Sequence, residues 1–168
     1  IIHEALASFN EHRMLGVVPS LDELTDKFDE LWRYAAEANE EIRYKQGKDF
    51  ESLLEQGKEL LRVYHKNRSE DGFSVIGIEE PFRFDVGGIP IIGVYDLVEE
   101  DPSGALIIVD FKTSSKAYSA NDVDNSFQMT LYHMAARANG CAHREILLRF
   151  DCVIRTKKAK LEQYYSVG

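Results

Sequence analysis

Apolar residues recur every three or four positions in the first part of the chain, and in alternation or short continuous runs in the second. The segment from His3 to about Met14 carries Leu6 and Phe9 and stops at Gly16, which predicts a first helix. Ser20-Leu-Asp-Glu23 is a capping-box sequence, and Leu21, Leu24, Phe28, Leu31, Trp32 and Ala35 follow it at helical spacing. Gly47 interrupts that pattern. A third helix is predicted from about Asp49 to Arg68, with Phe50, Leu53, Leu54, Leu60, Leu61 and Tyr64 on one side.

Beyond residue 73 the period changes. Residues 74–86 read as a strand, Gly87-Gly88 as a hairpin turn, and 89–99 and 105–112 as two further strands. Asn121 to Asn139 reads as a helix, with Phe127, Leu131, Met134, Ala135 and Ala138 along it and Gly140 as its stop. Residues 145–156 form another strand. The order ααα-βββ-α-β predicts a mixed α+β domain whose sheet is covered by helices. One domain is expected over 1–168, with a helical part at 1–72 and the sheet, its helix and any catalytic core at 73–168.

Composition narrows the class. The 168 residues are 44% hydrophobic and 29% charged, ordinary for a chain that folds around a core. No apolar run is long enough to span a membrane, and the first residues lack the pattern of a signal peptide. An intracellular, cytoplasmic protein is expected, with further residues upstream of Ile1 because no initiator Met is present. The 20 basic and 29 acidic residues give a net charge of −9, so the global field opposes binding to a polyanion. Any contact with nucleic acid must use a local basic patch or metal ions. The charge is polarised: Asp22, Glu23, Asp26, Asp29, Glu30, Glu37, Glu40 and Glu41 crowd residues 20–41, whereas Arg144, Arg149, Arg155, Lys157, Lys158 and Lys160 fall between 144 and 160.

Candidate chemistry lies on the second and third strands. Asp101-Pro-Ser-Gly-Ala105 suits a three-residue hairpin loop with Gly104 in the left-handed position. That loop pairs Asp101 with Ala105, and counting back along both strands brings Asp96 opposite Asp110 on one face, with Lys112 two residues on. Two carboxylates among Val94, Val98, Leu106 and Ile108 repel each other. Either one is protonated, or a cation lies between them, or the pair is simply exposed at the strand ends. Lys112 is one positive charge against two negative ones. A hard divalent ion such as Mg²⁺ or Mn²⁺ would balance the site and leave coordination positions for water.

Gly93-Val-Tyr-Asp96, Val109-Asp-Phe-Lys-Thr113 and Gln128-Met-Thr-Leu-Tyr132, preceded by a helical His3, resemble the consecutive motifs of the PD-(D/E)XK nuclease superfamily. Within it they are most similar to the RecB-type branch, which includes the RecB and AddAB nuclease domains. The resemblance covers His3 to about Arg155 and implies a restriction-endonuclease-like αβββαβ core with extra N-terminal helices. It also implies a metal site of Asp96, Asp110, the Phe111 backbone carbonyl and His3, with Lys112 as the catalytic lysine and Gln128 and Tyr132 lining the centre. Glu79 or Glu80 is a further candidate acid. Some branch members hold a four-cysteine iron–sulfur cluster; Cys141 and Cys152 are the only cysteines here, so no such cluster is expected.

The expected function is therefore a Mg²⁺- or Mn²⁺-dependent deoxyribonuclease, a RecB-like exonuclease of DNA recombination or repair, with DNA as substrate. Repair-protein partners are also expected. Thr113, Ser114, Arg144, Arg149 and Lys157 are candidate phosphate contacts. The alternatives are a catalytically silent nucleic-acid-binding or scaffolding module and a metal phosphoesterase acting on small molecules. A thiol nucleophile at Cys141 beside His143 has no oxyanion arrangement to support it.

Overall fold

The computed structural model describes residues 1–39, 41–68 and 72–167. Three helices come first: α1 (Ile2–Met14), α2 (Leu21–Glu37) and α3 (Phe50–Asn67). Both later ones begin on reciprocal caps. Ser20 Oγ accepts from the Glu23 N–H at 3.2 Å while Ser20 N–H donates to Glu23 Oε2 at 2.7 Å. Asp49 and Ser52 repeat the exchange at the start of α3. Each exchange satisfies N–H groups that a helix start leaves without partners.

Strands β1 (Ser74–Val86), β2 (Ile89–Glu100) and β3 (Leu106–Ser114) follow as an antiparallel meander. The Asp101 loop closes as its sequence predicts: the Asp101 N–H reaches Ala105 O at 3.1 Å, and Gly104 has φ +87°. It sets Glu100 opposite Leu106 and Leu97 opposite Val109, the register expected from the loop, and the paired ladder ends there, one position short of Asp96 and Asp110. Next come α4 (Ala120–Asp124), α5 (Phe127–Ala136), β4 (Ile146–Ile154) and β5 (Lys160–Ser166). Strand β4 runs parallel to β3, so α4 and α5 form the crossover that a parallel pair requires. The sheet order is β1-β2-β3-β4-β5, a mixed α+β architecture consistent with a restriction-endonuclease-like fold.

The sheet is sandwiched. On one face Leu6, Phe9, Phe28, Leu61 and Tyr64 pack on Leu97, Ile107, Val109, Phe111 and Val153. On the other Val123, Met129, Tyr132 and Ala135 pack on Phe82, Tyr95, Ile108, Leu148, Phe150 and Cys152. Residues of β3 therefore alternate between two cores, and its even-numbered positions face α5.

Two elements differ from expectation. The helix predicted over 121–139 is divided, because Ser119 caps α4 and the Ser126 side chain accepts from the Met129 N–H to start α5 afresh. The new start puts Gln128 in the first turn of α5. Strand β5, which the periodicity does not announce, pairs antiparallel with β4 and covers what would otherwise be an open sheet edge.

Candidate active site

On β3, Asp110 and Lys112 point to the α5 face, and α5 presents Gln128 and Tyr132, one helical turn apart, back to them. The four side chains form a closed circuit. Lys112 Nζ donates to Gln128 Oε1 at 2.8 Å, Gln128 Nε2 donates to Asp110 Oδ1 at 2.8 Å, and the Tyr132 hydroxyl donates to the same Oδ1 at 3.1 Å. Gln128 Nε2 also donates to the Tyr132 oxygen at 2.8 Å. Burial, together with the neighbouring Asp110 charge, pushes the Tyr132 hydroxyl well above the usual tyrosine range, so it stays a neutral donor. Lys112 Nζ lies 2.8 Å from Asp110 Oδ2 as an ion pair and 5.2 Å from the Phe150 ring centre. Oδ2 is otherwise buried and accepts no hydrogen bond.

Asp96 reaches the site from β2 by a different route. The β2–β3 ladder ends at Leu97 and Val109, and the Phe111 N–H beyond it donates to Asp96 Oδ2 at 2.8 Å. The carboxylate thus stands in for the missing strand partner. The inside–outside alternation also breaks here: Leu97 belongs to the core under α1–α3, whereas Tyr95 and Val98 belong to the core under α5. Opposite, on β1, Glu79 has φ +45°, the only positive φ among the described non-glycine residues. The kink re-aims the side chains of the outer hairpin arm and leaves Asp96 at the corner. Burial raises the Asp96 carboxyl above its ordinary value, and the Asp110 charge adds to this. The Phe111 hydrogen bond, His3 and Lys112 oppose the shift without cancelling it.

The other candidates divide. His3 is exposed on α1 with its ring edge-on to Phe111, centroids 6.1 Å apart, and its charge acts on Asp96. Thr113 is exposed at the end of β3, while Ser114 Oγ accepts from the Lys116 N–H and shapes the following turn. Glu79 and Glu80 are exposed. Lys157 is exposed in the β4–β5 turn. Two expected phosphate contacts are corrected. Arg149 is 1% exposed, because its guanidinium is held by both Asp151 oxygens at 2.7 and 3.0 Å and by Glu99 at 3.3 Å. Burial works against that charge, but Asp151 and Glu99 hold its pKa above the ordinary arginine value. Arg144 donates to Gly104 O at 2.8 Å and pairs with Glu100, so it clamps the Asp101 loop at the far end of the strands. Cys152 is buried with its thiol pushed up to about 12 by burial and by Asp151.

Among the described residues no group of three His, Cys, Asp or Glu side chains closes into a metal cage. The donor set nevertheless suits a hard cation. Asp110 Oδ2 is buried and lacks a hydrogen bond, Asp96 resists ionisation beside it, and both problems are relieved by an oxygen-bound divalent ion with water completing its shell.

Comparison with known proteins adds the family. No curated protein matches this chain. The structure of a candidate exonuclease from Eubacterium rectale superposes with a TM-score of 0.55 at 13% identity, over 89% of this chain and 60% of that one. The chain thus spans about 60% of that protein's length, and the likeness shows the fold. The structure of SSO0001 aligns over 96% of this chain and 75% of its own at 15% identity with a TM-score of 0.32, too low to carry an argument. The sequence profile of the PD-(D/E)XK nuclease superfamily matches residues 1–166, and with the acids, lysine and glutamine assembled as above, the chain belongs to that superfamily.

Proposed function

We propose that this protein is a Mg²⁺- or Mn²⁺-dependent deoxyribonuclease, a RecB-type exonuclease serving DNA recombination or repair. The observation that supports the reading best is the circuit Asp110–Lys112–Gln128–Tyr132, with Asp96 beside it on the neighbouring strand. Asp96, Asp110 and the Phe111 carbonyl would hold the cation, and His3 would add a nitrogen donor that favours Mn²⁺ over Mg²⁺. A bound cation there supplies Lewis acidity toward the phosphate and lowers the pKa of a water.

The chain's own residues do the rest. Gln128 and Tyr132 fix Asp110 Oδ1, so the carboxylate cannot rotate away, and Gln128 Oε1 holds the Lys112 ammonium at the same place. Lys112 then faces the charge that grows on the phosphate oxygens as the water oxygen bonds to phosphorus. Breakage of the bond to the 3′ oxygen leaves a 5′-phosphate and a 3′-hydroxyl.

The test uses end-labelled linear DNA and closed circular DNA, each with Mn²⁺, with EDTA, and with Asp110→Ala or Lys112→Ala. Mn²⁺-dependent release of label from linear DNA only is expected, with both variants at least ~100-fold slower. Cleavage that survives EDTA or Asp110→Ala overturns the mechanism. Cleavage of closed circles overturns the exonuclease assignment, and absence of cleavage under all conditions favours a scaffolding module.

A further inference from the structure

One groove runs away from the site between α2, α3 and the end of the sheet. Its inner part, about 370 Å³, is lined by His3 and by Thr113 at the end of β3; its outer part, about 340 Å³, is lined by Arg43, Tyr44, Lys45 and Lys48. Both share Ile1, Trp32, Leu53, Gln56 and Arg155, which makes them continuous. The lining chemistry is unlike the rest of the molecule. The chain carries a net charge of −9, yet among the described residues no carboxylate lines either part, while Arg43, Lys45, Lys48 and Arg155 do. Among the described residues none of these four has an ion-pair partner. Most cations of the helical part are paired instead, such as Arg33 and Lys58 with Asp29 and Arg62 with Glu59.

Trp32 forms the wall between the two parts. It is half-buried against Phe28 and Phe50, with centroids 5.7 and 6.1 Å away. Its indole N–H has no acceptor among the described residues, whereas a tryptophan held only for packing ordinarily finds one. Aromatic walls with unpaired cations and no carboxylates suit unstacked bases and a phosphate backbone. A duplex keeps its bases stacked inside and offers this wall nothing to stack on.

We propose that this groove is a single-strand-binding subsite. Bases stack on Trp32 and Tyr44, phosphates meet Arg155, Lys45 and Lys48, and the strand is delivered past His3 and Thr113 to the acids. The inference deepens the nuclease reading and names its substrate as single-stranded nucleic acid.

Trp32 is the only tryptophan, so its emission reports the groove directly. A short dye-labelled oligothymidylate is titrated in EDTA, where no cleavage intervenes, with tryptophan emission and dye anisotropy recorded together. Saturable quenching by the single strand and none by a blunt duplex of equal length is expected. Tyr44→Ala and Trp32→Leu should each weaken binding roughly 5- to 150-fold, with thermal melts confirming that the variants fold. The exposed substitutions Arg155→Ala and Lys45→Ala should each lower the slope of log affinity against log salt by about 0.7. Equal quenching by duplex, or unchanged affinity in Tyr44→Ala and Arg155→Ala, overturns the subsite even if Mn²⁺-dependent cleavage is intact. Quenching that persists in a protein that cleaves nothing leaves the subsite standing and defeats the nuclease reading instead.

Discussion

Tyr132 shows how much one hydroxyl contributes. It joins Asp110 Oδ1 to Gln128 from inside the α5 core, where the Tyr95 hydroxyl in turn donates to the Tyr132 carbonyl. Tyr132→Phe should cost about 1 kcal/mol of stability and slow cleavage ~10- to 100-fold, because Asp110 loses a neighbour that orients it. Denaturant melts and Mn²⁺ titrations of activity check the two effects separately. Asp96 gives a pH prediction. Its folded pKa lies above the ordinary 3.8, so the metal-free protein has the associated stability below that value and loses it as pH rises through the raised one. In EDTA, Asp96→Asn should therefore gain stability relative to the parent as pH climbs above 3.8. Melting curves over a pH series decide it; parallel curves for the two proteins would show that burial of Asp96 has no net cost.

Between elements, two glycines serve ring packing. A Cβ on Gly57 of α3 would lie 2.2 Å from the Phe28 ring of α2, and one on Gly93 of β2 would lie 2.3 Å from the Phe82 ring of β1. Phe82 stacks on Tyr95 at 4.6 Å and meets Tyr132 edge-on at 5.7 Å, so the glycine of the Gly-x-x-Asp stretch lets an aromatic column reach the site. Gly57→Ala and Gly93→Ala should each destabilise by about 1–3 kcal/mol through overpacking, read as a fall in melting temperature. Only Gly93→Ala should also slow cleavage. The helix caps and the Asp101 loop are legible in the sequence because their partners lie within four residues. The break between α4 and α5 is not, since apolar spacing continues across it while Ser126 captures the Met129 N–H instead.

Across the whole molecule, charge is sorted by the fold rather than along the chain. Arg149, from the basic stretch, is buried with Asp151 and Glu99, and Arg13 of α1 joins Glu99 at 3.4 Å. This network ties α1 to the sheet directly behind the strands that carry the site. Arg149→Ala leaves Asp151 buried without its cation and Glu99 with Arg13 alone, and should cost roughly 3–5 kcal/mol. Urea denaturation measures this, and any variant that folds should bind nucleic acid with an unchanged salt slope. Four cations without an ion-pair partner among the described residues gather elsewhere, at Arg43, Lys45, Lys48 and Arg155, three of them in a loop whose sequence shows no helical or strand period.

By itself the sequence determined most strand and helix positions and the β2–β3 register, and it singled out the acids, lysine, glutamine and tyrosine that the fold brings together. Elements and register follow from spacing over a few residues, which backbone geometry converts directly into faces and turns, while Gln128 and Tyr132 stand out through the motifs that resemble the nuclease superfamily. Tertiary structure decided which arginines are buried, that β3 and β4 run parallel, that β5 pairs with β4 as the outer strand, and that Asp96 replaces a strand partner at the Glu79 kink. Those outcomes depend on what a distant segment places against each side chain. Burial and charge pairing are properties of that neighbour as much as of the residue, so no local pattern carries them.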